Sequence, residues 1–284
     1  MGSAEMIPAF QSFLGLEGLH VLVTGSAGGI GTEIVNELLG QGCNVTAVDR
    51  LPAKVAEHPP PERYEAQLQI LQADISSEES ISSAIEAASK RFGPINILVA
   101  NAGVSDELHN IPIWEMPVEH WDRINNVNYR GTFLTIKHFL AAANRAQVAA
   151  EGVQMKNLAI VITGSECGKF GQEGHVDYAT GKAGLQYGLV RTVKNEIIRM
   201  NSLARINAVA PGWVNTPLIN GRLDDEFEAW AEAHSTVALK KVAEPYDVAR
   251  AVLFLASHRA AGHISGEVLS VDGGMEGRLL FKYP

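Results

Sequence analysis

Seven short strand-like runs punctuate this chain of 284 residues, at 19–24, 44–49, 68–74, 95–100, 158–163, 205–210 and 267–272. The first, 19–24, is short and apolar, as suits a buried parallel strand covered on both faces. Most of the stretches between the runs carry apolar residues at helical spacing. Ile30, Ile34 and Leu38 form one such stripe, and Ile81, Ala84, Ile85, Ala88 and Phe92 another. Strand and helix alternating about seven times predicts an α/β fold. Its core is a doubly wound parallel sheet with right-handed crossovers and helices on both faces.

The chain reads as one domain over 18–275, with an N-terminal extension at 1–17 and a tail at 276–284. The extension has an amphipathic turn around Phe10, Phe13 and Leu14. Residues 51–66, with Pro52 and the run Pro59-Pro60-Pro61, predict a loop or broken helix. Ser76 followed by Glu79 is a capping-box spacing that predicts a helix start. Long helices are expected over 118–144 and from Tyr178 to about Met200. An acidic helical insertion covers 217–241, with Leu223, Phe227 and Trp230 on one face.

Composition excludes several classes. Lys+Arg 23 against Asp+Glu 32 gives a net charge of −9 with no basic run, which argues against nucleic acid. Cys43 and Cys167 are too few for a disulfide framework and fit a reducing, cytoplasmic setting. The first 17 residues lack a basic start and a long apolar core, so no secretory signal is expected there. No apolar run reaches 18 residues, so no membrane span is expected. The nine histidines show no metal-ligand spacing, so no metal is expected.

The first strand runs into Gly25-Ser26-Ala27-Gly28-Gly29-Ile30-Gly31, and a helix follows. Glycines there let the backbone turn tightly and approach a pyrophosphate, whose charge sits on the helix N-terminus. Asp49 closes the second strand, 24 residues after Gly25. A carboxylate at that point can accept from a ribose 2′-hydroxyl and repels a 2′-phosphate by ~1–4 kcal/mol. NAD is therefore favoured over NADP, although Arg50 offers a phosphate a guanidinium. Asp74-Ile75 is placed for adenine, with a helix-entry role for Asp74 equally compatible. Asn101-Ala102-Gly103 after the fourth strand is placed for the cofactor ribose.

Tyr178 and Lys182 stand four residues apart at the start of a helix and so share one face. A nearby ammonium favours the phenolate and lowers a tyrosine's pKa, which suits the phenol to proton transfer. A surface Tyr/Lys pair would have the same spacing, so the pair alone does not decide the chemistry.

In order along the chain stand Thr24-Gly25-x-x-x-Gly29-Ile30-Gly31, Asn101-Ala102-Gly103, Asn128, Ser165, Tyr178-x-x-x-Lys182 and Pro211-Gly212-Trp213-Val214-Asn215-Thr216-Pro217. The set, with Ser165 placed 13 residues before Tyr178, resembles the classical short-chain dehydrogenase/reductase family, of Rossmann type. The departures are Val99-Ala100, where the family often carries asparagine, and Thr163-Gly164, where a second serine is common.

The resemblance implies hydride transfer between a nicotinamide and the carbon of a secondary alcohol or ketone on a small or medium organic molecule. Tyr178 is then the acid/base, Lys182 its activator and ribose ligand, and Ser165 the donor to the substrate oxygen. Asn128 would hold a water that relays protons. Val214 and Thr216, with Pro211 and Gly212, would meet the carboxamide and phosphates. Glu166, Cys167, Phe170, His175, Trp213 and the insertion are placed at the substrate end. There Cys167 is expected to form a small pocket wall and His175 a solvent-facing loop residue. The resemblance also implies a homotetramer or dimer built on the two long helices. An NADPH-dependent ketoreductase, a non-redox enzyme and a non-catalytic dinucleotide binder are the alternatives.

Overall fold

The computed structural model describes residues 12–51, 62–106, 110–219 and 235–277. Seven parallel strands form one sheet: β1 His20–Thr24, β2 Asn44–Asp49, β3 Leu68–Gln72, β4 Ile97–Ala100, β5 Ala159–Thr163, β6 Arg205–Pro211 and β7 Val268–Val271. Their order across the sheet is β3-β2-β1-β4-β5-β6-β7. Every residue of β1, β4, β5 and β6 is buried, as continuous apolar runs require, while the edge strands β3 and β7 are partly open.

Alternate side chains feed two cores. Leu22, Leu98, Ile160, Ile162 and Ile206 face α2 (Glu78–Phe92) and α4 (Thr132–Ala149), where Ile85 and Phe139 are fully packed. Val21, Val23, Ile97, Val99 and Val161 face α1 (Gly29–Gly40) and α8 (Pro245–Ala256), through Ile34, Leu38, Val252 and Leu253. Each such aliphatic side chain contributes about 1.5–3 kcal/mol by leaving water.

Both long helices contain a wider turn. The first runs as α3 (Val118–Asn125), a π segment Asn126–Gly131 and then α4, which ends at Ala149 rather than 144. The second runs as α6 (Val176–Ala183), a π segment Gly184–Leu189 and α7 (Val190–Ile197). A side chain at Gly181 would meet Asn125 Oδ1 at 2.7 Å, and one at Gly184 would meet the Tyr129 ring at 2.8 Å. Glycine at both positions lets α6 lie close against the first long helix.

Two local expectations are corrected. The cap of α2 is Ser77, which accepts from Ser80 N, and not Ser76. Ser76 is drawn instead to Asp74, whose Oδ1 accepts its N–H at 2.9 Å and its hydroxyl at 2.6 Å. The same turn ends β3 at Gln72. Leu16, from the expected extension, is fully buried in the α1/α8 core, and the Ser257 hydroxyl donates to Leu14 O. Of the expected N-terminal turn, Phe13 is exposed and Phe10 lies outside the described residues. Leu223, Phe227 and Trp230 of the insertion, and Pro52 and the proline run, also lie outside them; residues 62–67 form a 3-10 turn.

Candidate active site

Strand order reverses between β1 and β4, so the loops leaving their carboxyl ends diverge and open a crevice. Gly25 lines it with a left-handed φ of +67°, and a methyl there would lie 2.6 Å from Ala102 Cα. A side chain at Gly31 would collide with the Gly25 carbonyl. A methyl at Gly29 would lie 2.8 Å from Thr216 Cγ2, which brings the 211–217 segment against the glycine turn. Gly28 caps α1 without any side-chain hydrogen bond. The first-turn N–H groups of α1 thus receive no side-chain cap from that residue.

Thr24 and Asn101 stitch this crevice together. Thr24 Oγ1 accepts from the N–H groups of Asn101 and Ala102, both at 3.2 Å, and Asn101 Nδ2 donates to Gly25 O at 3.1 Å. Thr163 Oγ1 donates to Asn101 Oδ1 at 3.0 Å. Asp49 holds the turn from the other side. Its Oδ2 accepts from Ala27 N at 3.0 Å and its Oδ1 from Leu51 N at 2.9 Å. Ser26 is buried, with its hydroxyl unpaired, while Ile30 packs partly on the core and Arg50 is exposed.

The adenine candidates stand further out. Asp74 is held below the usual carboxylate range, chiefly by the Ser76 hydroxyl. Ile75 is buried, and a side chain at Gly131 would meet it at 2.8 Å.

Lys182 is buried, and its ammonium donates to Thr163 O at 2.8 Å. Desolvation lowers its pKa from 10.5 to about 8, with a smaller opposing contribution from Cys167. Its Nζ lies 5.4 Å from the centre of the Tyr178 ring, so the face expected from sequence spacing is formed. Tyr178 is half-buried. Next to it, buried Asp177 pairs with His120 of α3 at 3.3 Å, and Asn125 Nδ2 donates to Asp177 O at 3.2 Å. The start of α6 is therefore pinned across to the first long helix.

Asn128 is buried in the first π segment. Its amide is engaged at both ends by Val104: Oδ1 accepts Val104 N and Nδ2 donates to Val104 O, both at 2.8 Å. A methyl at Gly103 would touch Asn128 Oδ1 at 3.3 Å and Lys182 Nζ at 3.5 Å, so the two side chains flank that glycine.

Ser165 is buried just past β5, and its Oγ accepts from Cys167 N at 3.2 Å. Its backbone N–H donates to Gln186 Oε1 at 2.9 Å, a partner that sequence reading missed. Glu166 is also buried, and the Ser165 hydroxyl reaches its Oε2 at 3.5 Å.

At the substrate end Cys167 is buried and its thiol donates to Gln172 Oε1 at 3.0 Å. His175 is not solvent-facing. It is 2 % exposed and its Nδ1 lies 3.0 Å from Glu173 O, while the preceding Gly174 O accepts from Ile111 N–H at 3.0 Å. Trp213 clusters with Val237 and Met275, and Phe170 and Val242 pack on them. Val214 is buried and forms a bridge with Ala243, while Gly212 lies against Asp272.

The fold and the sequence are shared with known proteins. The family described as Enoyl-(Acyl carrier protein) reductase matches residues 25–276. The 3-oxoacyl-[acyl-carrier-protein] reductase FabG of Thermotoga maritima is 30% identical over 92% of this chain and 98% of its own length. The chain belongs to the short-chain dehydrogenase/reductase family. Cis-4-hydroxycyclohexanecarboxylate dehydrogenase of Sinomonas cyclohexanicum is 33% identical over 89% of this chain and 94% of that protein. Among solved structures, the 3-ketoacyl-(acyl-carrier-protein) reductase of Brucella melitensis complexed with NADH superposes with a TM-score of 0.78. It is 26% identical and covers 91% of this chain and 98% of its own. As a member of this family the chain is a nicotinamide-dependent oxidoreductase acting on CH–OH and keto groups.

Its own residues fit such a cofactor. A turn with no room for side chains at Gly25, Gly29 and Gly31, and a helix start with no side-chain cap, form a cradle for a pyrophosphate. Among the described residues no cluster could hold a metal ion, and no helix is long and apolar enough to cross a membrane.

Proposed function

We propose that this protein interconverts a secondary alcohol and a ketone on a small or medium organic molecule, with NAD as cofactor and Tyr178 as acid/base. The observation that carries the reading is Lys182: a buried amine fixed on Thr163 O, beside the Tyr178 ring and flanking Gly103 at the crevice. When bound, the nicotinamide supplies or takes the hydride. Tyr178 gives the substrate oxygen a proton in reduction and takes it in oxidation, and the positive charge of Lys182 favours the phenolate. Ser165 donates a second hydrogen bond to the same oxygen, so charge developing there meets two fixed donors.

Gly25, Ser26, Gly28, Gly29, Ile30 and Gly31 would receive the pyrophosphate. Asp49 would accept from the adenosine ribose and Asn101, Ala102 and Gly103 would line the nicotinamide ribose. Asp74 and Ile75 would meet adenine, and Pro211, Gly212, Val214 and Thr216 the carboxamide and phosphates. Arg50 leaves NADP as the lesser alternative. Because Val104 already engages both ends of its amide, Asn128 is assigned to positioning the Gly103 loop rather than to carrying a water on its side chain. A homo-oligomer built on the two long helices and a cytoplasmic setting complete the reading.

The test is the absorbance of the reduced nicotinamide with both cofactors against a panel of secondary alcohols and ketones. Turnover of any of them with NAD supports the assignment, and no turnover by a protein that binds the cofactor rejects it.

A further inference from the structure

We propose that Gln186 is a positioning residue that fixes Ser165 for its hydrogen bond to the substrate oxygen; this rests on the reading of Ser165 given above. The argument begins with the strand ladder. Past the end of β5, Gly164 N–H and Glu166 N–H still bond to β6, at Val209 O (2.7 Å) and Pro211 O (3.0 Å). In a parallel strand successive N–H groups point to opposite neighbours, so the N–H of Ser165 points toward β4. But β4 has ended at Ala100, paired with Ile162, and no strand remains to receive it. Gln186 Oε1 takes that place at 2.9 Å, from a side chain that is fully buried. A buried N–H left without a partner is costly, and the loop would swing to another arrangement to find one.

Two glycines are shaped to this amide. A methyl at Gly164 would lie 2.7 Å from Gln186 Oε1, 2.8 Å from Cδ and 2.9 Å from Cγ. One at Gly168 would lie 2.5 Å from the same oxygen. Neither glycine has a left-handed backbone, so space for Gln186, not conformation, is what a side chain would violate. With its N–H held by Gln186 and its Oγ held by Cys167 N–H, Ser165 is fixed at two points.

The experiment compares Gln186→Met, Gln186→Glu, Gln186→Ala, Gly164→Ala and the double variant Gly164→Ala/Gln186→Ala with Ser165→Ala and the parent enzyme. Gln186→Met, which loses the acceptor at similar length, is expected to lower kcat at least tenfold with cofactor Kd changed less than twofold. Gln186→Glu, which keeps an acceptor oxygen, should recover most of that loss. Gly164→Ala should reproduce the defect with Gln186 intact, and should add nothing once Gln186 is alanine. Should Gln186→Met fail to fold, Gly164→Ala and its double variant carry the test.

Normal kcat in Ser165→Ala would sink the reading of Ser165 itself. A slow Ser165→Ala beside normal Gln186→Met and Gly164→Ala would overturn only the role of Gln186. Loss of Tm and cofactor affinity together, without rescue by glutamate, would also overturn it, since that is the signature of a packing defect.

Discussion

The ammonium of Lys182, itself buried, donates to the carbonyl oxygen of Thr163 across 2.8 Å. In the unfolded chain this amine keeps its proton to about its ordinary 10.5, but in the fold only to about 8, because burial penalises the charge. Between those values the unfolded chain binds more protons, so stability rises with pH across that window, and below pH 8 the fold bears the full cost. Lys182→Met should therefore be more stable than the parent at pH 7, by about 2 kcal/mol after the lost hydrogen bond is subtracted. The gap should shrink from pH 8 upward. Thermal melts of both proteins from pH 6.5 to 10.5 check this, and a gap that stays constant would contradict it. Activity should be lost in the same variant.

Tyr178→Phe removes one hydroxyl and leaves the ring beside Lys182. Turnover should fall at least a hundredfold while cofactor binding, followed by fluorescence, changes little. Near-normal turnover would remove Tyr178 from the chemistry.

Asp49 holds Ala27 N–H and Leu51 N–H on its two oxygens. Asp49→Asn keeps one acceptor oxygen and removes the charge that repels a 2′-phosphate. The ratio of NAD to NADP affinity should drop about tenfold or more. Side-by-side titrations measure it; tighter NADP binding by the parent protein would reverse the cofactor assignment.

Arg205 is a buried cation that holds carbonyl groups. Its two terminal nitrogens donate to Leu255 O, Ala256 O, Ala261 O and Asn157 Oδ1, so it ties the end of α8 and the turn after it to β6. Desolvation lowers its pKa to about 10. Arg205→Met leaves those neutral acceptors unpaired, at about 1–3 kcal/mol for each that finds no other donor, and should lower the urea midpoint. The Michaelis constants of the folded fraction should stay unchanged, because the residue lies at the start of β6 and the active site at its end.

Much of this protein was legible before any coordinates. The seven runs became the seven strands, and those at the centre of the sheet are apolar because a strand covered on both faces sheds polar side chains, a property written in consecutive residues. The shared face of Tyr178 and Lys182 follows from helical periodicity alone, and the glycine turn from its place between strand and helix. What the tertiary structure decided are the pairings between distant segments. Ser76 or Ser77 as cap depended on which one Asp74 captured. His175 was buried, Asn128 was engaged by Val104, and Lys182 was anchored on Thr163 O. Gln186 read as one more helical residue until the end of β4 left the Ser165 N–H without a strand. Local periodicity records which way a side chain points; only the packed sheet determines which polar groups lose their water and must find each other.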